Sequence, residues 1–186
     1  MLRNGLLLIL IGILVPAISY GQANQGGGAK AGLILGYTVP DAENTKPHRL
    51  WGLSGTAMVN KNWGINGYYL LADKQVGTSV RKFEHSIHGV GISYHVLGGK
   101  GDTFYGIRAG LSKLETVQAG STNVTFSPSH WGFAAGYDYN IFSFMTIGFE
   151  GTYLTFEDSE ANVGGTDYLE DKFRSISFAG SLKFKF

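Results

Sequence analysis

The chain has 186 residues, a net charge of +1, 28 glycines, four prolines and no cysteine. Near-neutral charge argues against a nucleic-acid partner or electrostatic attachment to a membrane surface, and the missing cysteine excludes disulfides and a lipid-anchored amino terminus. Abundant glycine without a Gly-X-Y period, beside so few prolines, excludes collagen and disordered linkers. It points instead to strands with tight bends or places where bulk does not fit.

Met1, Leu2 and Arg3 form a short basic start, followed by an apolar run from Leu6 to Val15 that Pro16 ends. Small residues around Ser19, Gly21 and Ala23 offer a cleavage site. This layout predicts a removable signal peptide over residues 1–23, cut after Gly21 or Ala23. The run is shorter than the ~18 residues that a spanning helix needs. Residues 24–186 then suit a single domain.

After an Asn24–Gly28 lead, alternation with a period of two recurs along the chain and predicts about eight strands. They run over Ala29–Val39, Arg49–Asn60, Trp63–Asp73, Phe83–Leu97, Thr103–Thr116, Ser129–Asn140, Ser143–Phe156 and Lys172–Phe186. Asn60–Asn62, Gly98–Asp102 and Ile141–Phe142 read as short turns. Pro40–His48, Lys74–Lys82, Val117–Pro128 and Glu157–Asp171 read as longer polar loops. Short turns at one rim and long loops at the other are the habit of outer-membrane barrels.

Side-chain size decides which face looks outward. The last strand sets Ile176, Phe178, Leu182, Phe184 and Phe186 against Ser175, Ser177, Ala179, Ser181, Lys183 and Lys185. In the sixth, Trp131, Phe133, Tyr137 and Tyr139 oppose Gly132, Ala134, Gly136, Asp138 and Asn140. An eight-stranded barrel has a lumen just wide enough for side chains to fill, so the small set must face in and the bulky set must face lipid. A soluble lipocalin-like barrel, with its apolar face inward, is the reading this rejects. Trp51 and Trp131 near loop ends, with Trp63, Tyr105 and Tyr139 near turn ends, predict two interfacial girdles.

The signal, the hairpin rhythm, the segment Ser93-Tyr94-His95, the Phe104-Tyr105-Gly106 strand start and the terminal Phe186 together resemble the small Gram-negative outer-membrane β-barrel family. That family includes OmpX, the OmpA transmembrane domain and the opacity-type "porin family" proteins. The resemblance implies an all-β, eight-stranded, antiparallel, up-and-down transmembrane barrel at residues 24–186, in the outer membrane. It also implies Phe186 as the signal read by the barrel-assembly machinery, and outer-membrane lipid and lipopolysaccharide as surroundings of a monomer. Peptidoglycan tethering, known in full-length OmpA relatives, is not carried over, because no corresponding segment follows the last strand.

The candidate chemistry lies in the lumen. Arg108 and Glu150 fall mid-strand on the inward face, with Lys30, Asp138 and Lys183 inward and nearer the turn rim. Buried charges must be paired and hydrogen-bonded, so an Arg108–Glu150 pair and Asp138 with Lys183 or Lys30 are expected, either as a polar filling or as a gate. Glu84, His85, Ser86 and His88, or Ser129 with His130, carry triad residue types, but neighbours on a strand diverge. His85 and His88 fall on opposite faces for the same reason, so no metal or cofactor is expected. The expected function is a non-enzymatic envelope or surface-interaction role through the loops, above all the acidic segment Glu157–Asp171. A small-solute porin and a lipid A-modifying enzyme are the alternatives.

Overall fold

The computed structural model describes residues 28–42, 45–77, 80–117 and 123–186. The expected signal peptide, residues 1–23, lies outside the described residues. The strands are β1 (Ala29–Pro40), β2 (His48–Met58), β3 (Trp63–Gly77), β4 (Val80–Gly98), β5 (Gly101–Val117), β6 (Asn123–Phe126), β7 (Ser129–Phe142), β8 (Met145–Phe156), β9 (Ser159–Val163), β10 (Thr166–Glu170) and β11 (Phe173–Lys185). Eight of them, all but β6, β9 and β10, pair antiparallel in sequence order. The circle closes where β1 pairs with β11, from Lys30 opposite Lys185 to Pro40 opposite Ser175. The fold is an all-β, closed, eight-stranded antiparallel barrel. No helix among the described residues is long and apolar enough to cross a membrane, which says nothing of crossing by strands.

The expected faces are the observed ones. Leu35, Phe149 and Phe178 are about two-thirds exposed on the outer wall, while Arg108, Asp138, Glu150 and Lys183 are buried within. Trp51, Trp131, Trp63 and Tyr105 are each about half exposed and point outward. Trp63 meets Tyr94 edge-on at 5.2 Å, and Tyr94 lies 5.5 Å from Tyr105, which builds one continuous aromatic patch near the turn rim. Inward glycines make room for the few large lumen residues. A Cβ at Gly136 would come within 2.6 Å of the Phe104 ring, and one at Gly89 within 2.6 Å of the Tyr68 hydroxyl.

The segments read as long loops carry more structure than alternation alone suggests. β3 and β4 run on through most of Lys74–Lys82. Within Val117–Pro128, β6 pairs back onto the end of β5, with Leu114 opposite Phe126. Glu157–Asp171 is largely the hairpin β9–β10, turned by Gly164 and Gly165 at φ 62° and 85°, where glycine avoids the steric cost of a Cβ. The last short turn falls at residues 143–144 rather than Ile141–Phe142, because β7 continues through an irregularity between Asn140 and Phe142.

The pattern inverts along the strands. Below the outer girdle the wall is apolar outside and polar inside. Above it the outward positions become Arg49, Asp73, Glu84, Lys113 and Arg174, all exposed. The inward positions become Leu50, Leu114, Leu154, Phe156 and Phe173, which join Phe126 and Val124 of β6 in a buried apolar cluster. Ala42, Ala161 and Tyr168 pack on it from the loops. The expectation that the lumen excludes large aromatics therefore fails above the girdle, and in the lipid-facing section Tyr68 and Phe104 are exceptions that the inward glycines accommodate. Above the girdle water wets the outside, so burial of apolar groups inside is what stabilises the fold.

Candidate functional site

The polar tier of the lumen is built by residues of matching parity on facing strands. Arg108 on β5 and Glu150 on β8 are separated by β7, which puts Gly132 beside Arg108 and Gly136 beside Glu150. With only the Ala134 methyl between those two glycines on the inward face, the guanidinium reaches across. Nη1 donates to Oε1 at 2.6 Å and Nη2 to Oε2 at 2.8 Å. Thr152 Oγ1 donates to the same carboxylate at 3.1 Å, and the Arg108 guanidinium carbon sits 5.0 Å from the Tyr68 ring. This two-pronged geometry is the strong form of a charged hydrogen bond.

A second cluster lies nearer the turn rim. Lys183 Nζ donates to both oxygens of Asp138, at 3.0 and 3.2 Å. Lys30 Nζ reaches Asp138 at 3.1 Å and also pairs with Asp102. Asp102 in turn contacts His95 Nδ1 at 2.9 Å, and His95 Nε2 lies 2.7 Å from Ser93 Oγ. The structure thus brings Lys30, Asp138 and Lys183 together, and Arg108 with Glu150, and adds Asp102, His95 and Ser93. In these two clusters three cations, Lys30, Arg108 and Lys183, face three carboxylates, Asp102, Asp138 and Glu150. Balanced, hydrogen-bonded pairs are what make such burial tolerable.

Sequence reading missed the last three residues for an identifiable reason. Gly98–Asp102 reads as a turn, but β5 begins at Gly101, so Asp102 is already an inward strand residue. Its parity with Phe104 and Arg108, and that of Ser93 with His95, was the available signal.

Ser93, His95 and Asp102 have the order hydroxyl, imidazole, carboxylate at hydrogen-bonding distances. A nucleophile also needs a reacting group beside it and donors for an oxyanion. All three residues are almost fully buried, and Asp102 is shared with Lys30. The neighbouring polar cavity, lined by Ser54, Asn66, His95, Arg108 and Glu150 among others, has a volume of about 10 Å³ and does not include Ser93. That is room for about one water. Of the candidates read from sequence, Glu84, Ser86 and His88 point outward and His85 inward, while Ser129 is outward and His130 inward. No cluster of three metal-ligating side chains occurs among the described residues.

At the outer rim, Glu157 accepts from Trp131 Nε1 at 3.0 Å and from Lys172 Nζ at 2.9 Å. The Lys172 ammonium holds its carboxyl below the usual carboxylate value. This links the girdle tryptophan to the base of the β9–β10 hairpin. Phe186 is well exposed on the wall. Its amide donates to Ala29 O at 2.9 Å, extending the closing seam by one residue.

A closed barrel of eight strands, apolar outside and ion-paired within, has the fold of the small outer-membrane β-barrels. Neisserial surface protein A superposes with a TM-score of 0.65 at 13% identity, over 87% of this chain and 98% of that one. Ail, the attachment invasion locus protein of Yersinia pestis, solved with the heparin analogue sucrose octasulfate, gives 0.59 at 13% over 87% and 100%. OprG of Pseudomonas aeruginosa gives 0.56 at 11% over 87% and 96%. No protein-family model matches the sequence, and no curated protein matches it significantly.

Proposed function

We propose that this protein is a sealed outer-membrane barrel of a Gram-negative cell, exported by its signal peptide, that acts through its extracellular end and not through its lumen. The observation carrying this reading is the double closure of the interior. Ion pairs leave a water-sized cavity in the lower tier, and an apolar cluster fills the upper one. Open aqueous channels belong to barrels of roughly 16 strands, which weighs against the small-solute porin. The absence of room for an acyl group beside Ser93 weighs against hydrolysis there.

What the barrel presents outside is built structure. β6 and the β9–β10 hairpin add hydrogen-bonded strands at that end, and connecting segments held on a rigid barrel are where recognition sits. The attachment protein with the same fold was solved with a heparin analogue; here the outermost hairpin carries exposed Glu160 and Asp167, so a different, cationic or cation-bridged surface partner suits this chain. Outer-membrane lipid and lipopolysaccharide surround a monomer, and the assembly machinery reads Phe186. The test pairs two measurements. Planar bilayers with refolded protein at neutral pH should show no stepwise conductance. Cells carrying the β9–β10 segment replaced by a Gly-Ser linker should lose surface binding or envelope integrity while keeping the barrel. Steady conductance, or an unchanged phenotype after replacement, would remove this reading.

A further inference from the structure

Three short turns close the lower rim, and they differ in what they expose. In the β2–β3 turn, residues 59–62, Asn60 Oδ1 accepts the amides of Asn62 and Trp63 at 2.9 and 3.0 Å. Asn62 Nδ2 donates to the His95 carbonyl at 2.8 Å, and Lys61 is exposed at the tip beside Val59. The β4–β5 turn, residues 99–100, presents Gly99 and the exposed Lys100.

The β7–β8 turn is built from other material. Beyond Tyr139, whose ring belongs to the turn-side girdle, the chain exposes Ile141, Phe142 and Phe144, the last within the turn itself. Phe142 and Phe144 are each more than half exposed, and their rings stack at 5.5 Å with 8° between the planes. Phe142 stands opposite Met145, which stands opposite the exposed Phe184 of β11. The Phe144 carbonyl accepts the Lys185 amide at 2.8 Å, which ties the turn to the last strand. The Lys185 ammonium beside it donates to Asn140 Oδ1 at 2.9 Å.

Stacking leaves these rings half uncovered, and an exposed apolar patch of this kind marks an interaction surface. Its place says what covers it. Tyr139 pairs with Ile147, and Ile147 with Leu182, so the patch continues the lipid-facing wall without a break. Hydrocarbon already covers that wall. The β2–β3 turn lies directly across the barrel, with β4 and β5 between the two turns one way round and β11 and β1 the other. A charge in hydrocarbon is costly, so Lys61 holds its side of the rim in water. One side of the rim therefore favours lipid and the far side favours water, and anchors of this kind set how a membrane protein tilts.

We propose that the β7–β8 turn is a membrane-docking lip: Ile141, Phe142 and Phe144 sink among the acyl chains of the leaflet on the turn side, and the barrel leans toward them. The lean carries Asn60, Lys61 and Asn62 outward into water. The proposal concerns the rim opposite the one that carries recognition, so it stands or falls separately from the surface role.

The chain has no cysteine, so single cysteines can be labelled cleanly. Ser143→Cys, Lys61→Cys and Lys100→Cys, each carrying a small fluorophore, would be refolded into phosphatidylcholine vesicles. Quenching by nitroxides on the acyl chains, against iodide in the water, reads the depth of each probe. The Ser143 probe should lie about 5–10 Å deeper than the Lys61 probe, the depth at which interfacial apolar groups settle. Adding Phe142→Ser and Phe144→Ser should bring it out to the level of the others, with unheated gel migration showing that the barrel still folds. Should that variant fail to fold, Phe144→Ser alone should raise the probe part of the way. Equal depths for the three probes would overturn the proposal and leave the patch to a protein partner. Depth at residue 143 that disappears as the protein is diluted in lipid would also overturn it, and would assign the cover to a second copy. Unchanged depth in the serine variants would overturn it as well, because the fluorophore and not the lip would then be seeking lipid.

Discussion

Arg108 grips Glu150 across the whole width of an intervening strand, through two hydrogen bonds of 2.6 and 2.8 Å. The reach is possible because the inward face of β7 offers only the small residues Gly132, Ala134 and Gly136 beside the pair. Glu150→Gln leaves the guanidinium buried with a neutral partner, and should lower unfolding stability by up to about 3–5 kcal/mol, less if water enters. Replacing Arg108 by Gln as well should recover much of that loss. A double-mutant cycle measured by denaturant unfolding reads the coupling directly, and strict additivity would mean that the two side chains are energetically independent.

The glycines of β7 should resist substitution for steric reasons. Gly136→Val would drive a side chain against the Phe149 carbonyl and into the Phe104 ring, since a Cβ alone already comes within 2.4 Å of the first and 2.6 Å of the second. Overpacking of this kind costs about 1–3 kcal/mol. Combining it with Phe104→Ala should restore part of the stability, and a combined loss equal to the sum of the two would count against the contact.

A closed ladder resists detergent until it is heated. Folded, unboiled protein should therefore migrate differently on gels from boiled protein. Identical mobility would be incompatible with the closed seam between β1 and β11.

Two features of Phe186, its ring and its backbone, can be separated by substitution. Deleting it removes both the exposed ring and its two backbone hydrogen bonds with Ala29. Phe186→Ala keeps the backbone and removes the ring alone. If the ring is the assembly signal, both variants should reach the outer membrane poorly while crossing the inner membrane normally. Normal surface levels of Phe186→Ala, with a defect only on deletion, would transfer the effect to the seam.

Parity was enough to read the lipid-facing wall, because one solvent acts along the whole middle of each strand and Phe133, Ile147 and Phe178 repeat its demand. It was enough for the inward set of Arg108, Asp138, Glu150, Lys30 and Lys183 as positions, though not for which atoms would meet. The upper closure escapes that reading because parity is judged over a whole strand, whereas the outer solvent changes partway along it. Arg49 followed by Leu50, and Lys113 by Leu114, carry the reversal locally. His85 and His130, which carry triad residue types in the sequence, are instead buried beside the Phe156 ring.

That reversal joins two materials in one set of strands. Below the outer girdle the chain is held by hydrogen bonds that hydrocarbon cannot compete for. Above it, Leu50, Leu114, Phe126 and Phe156 are held by water's exclusion of apolar surface. Urea weakens the second kind of cohesion directly, and cooling weakens it as well. The outer end should therefore soften in moderate urea, and near freezing, while the wall beneath keeps its shape: a rigid post carrying a tip whose firmness follows the weather of the surrounding water.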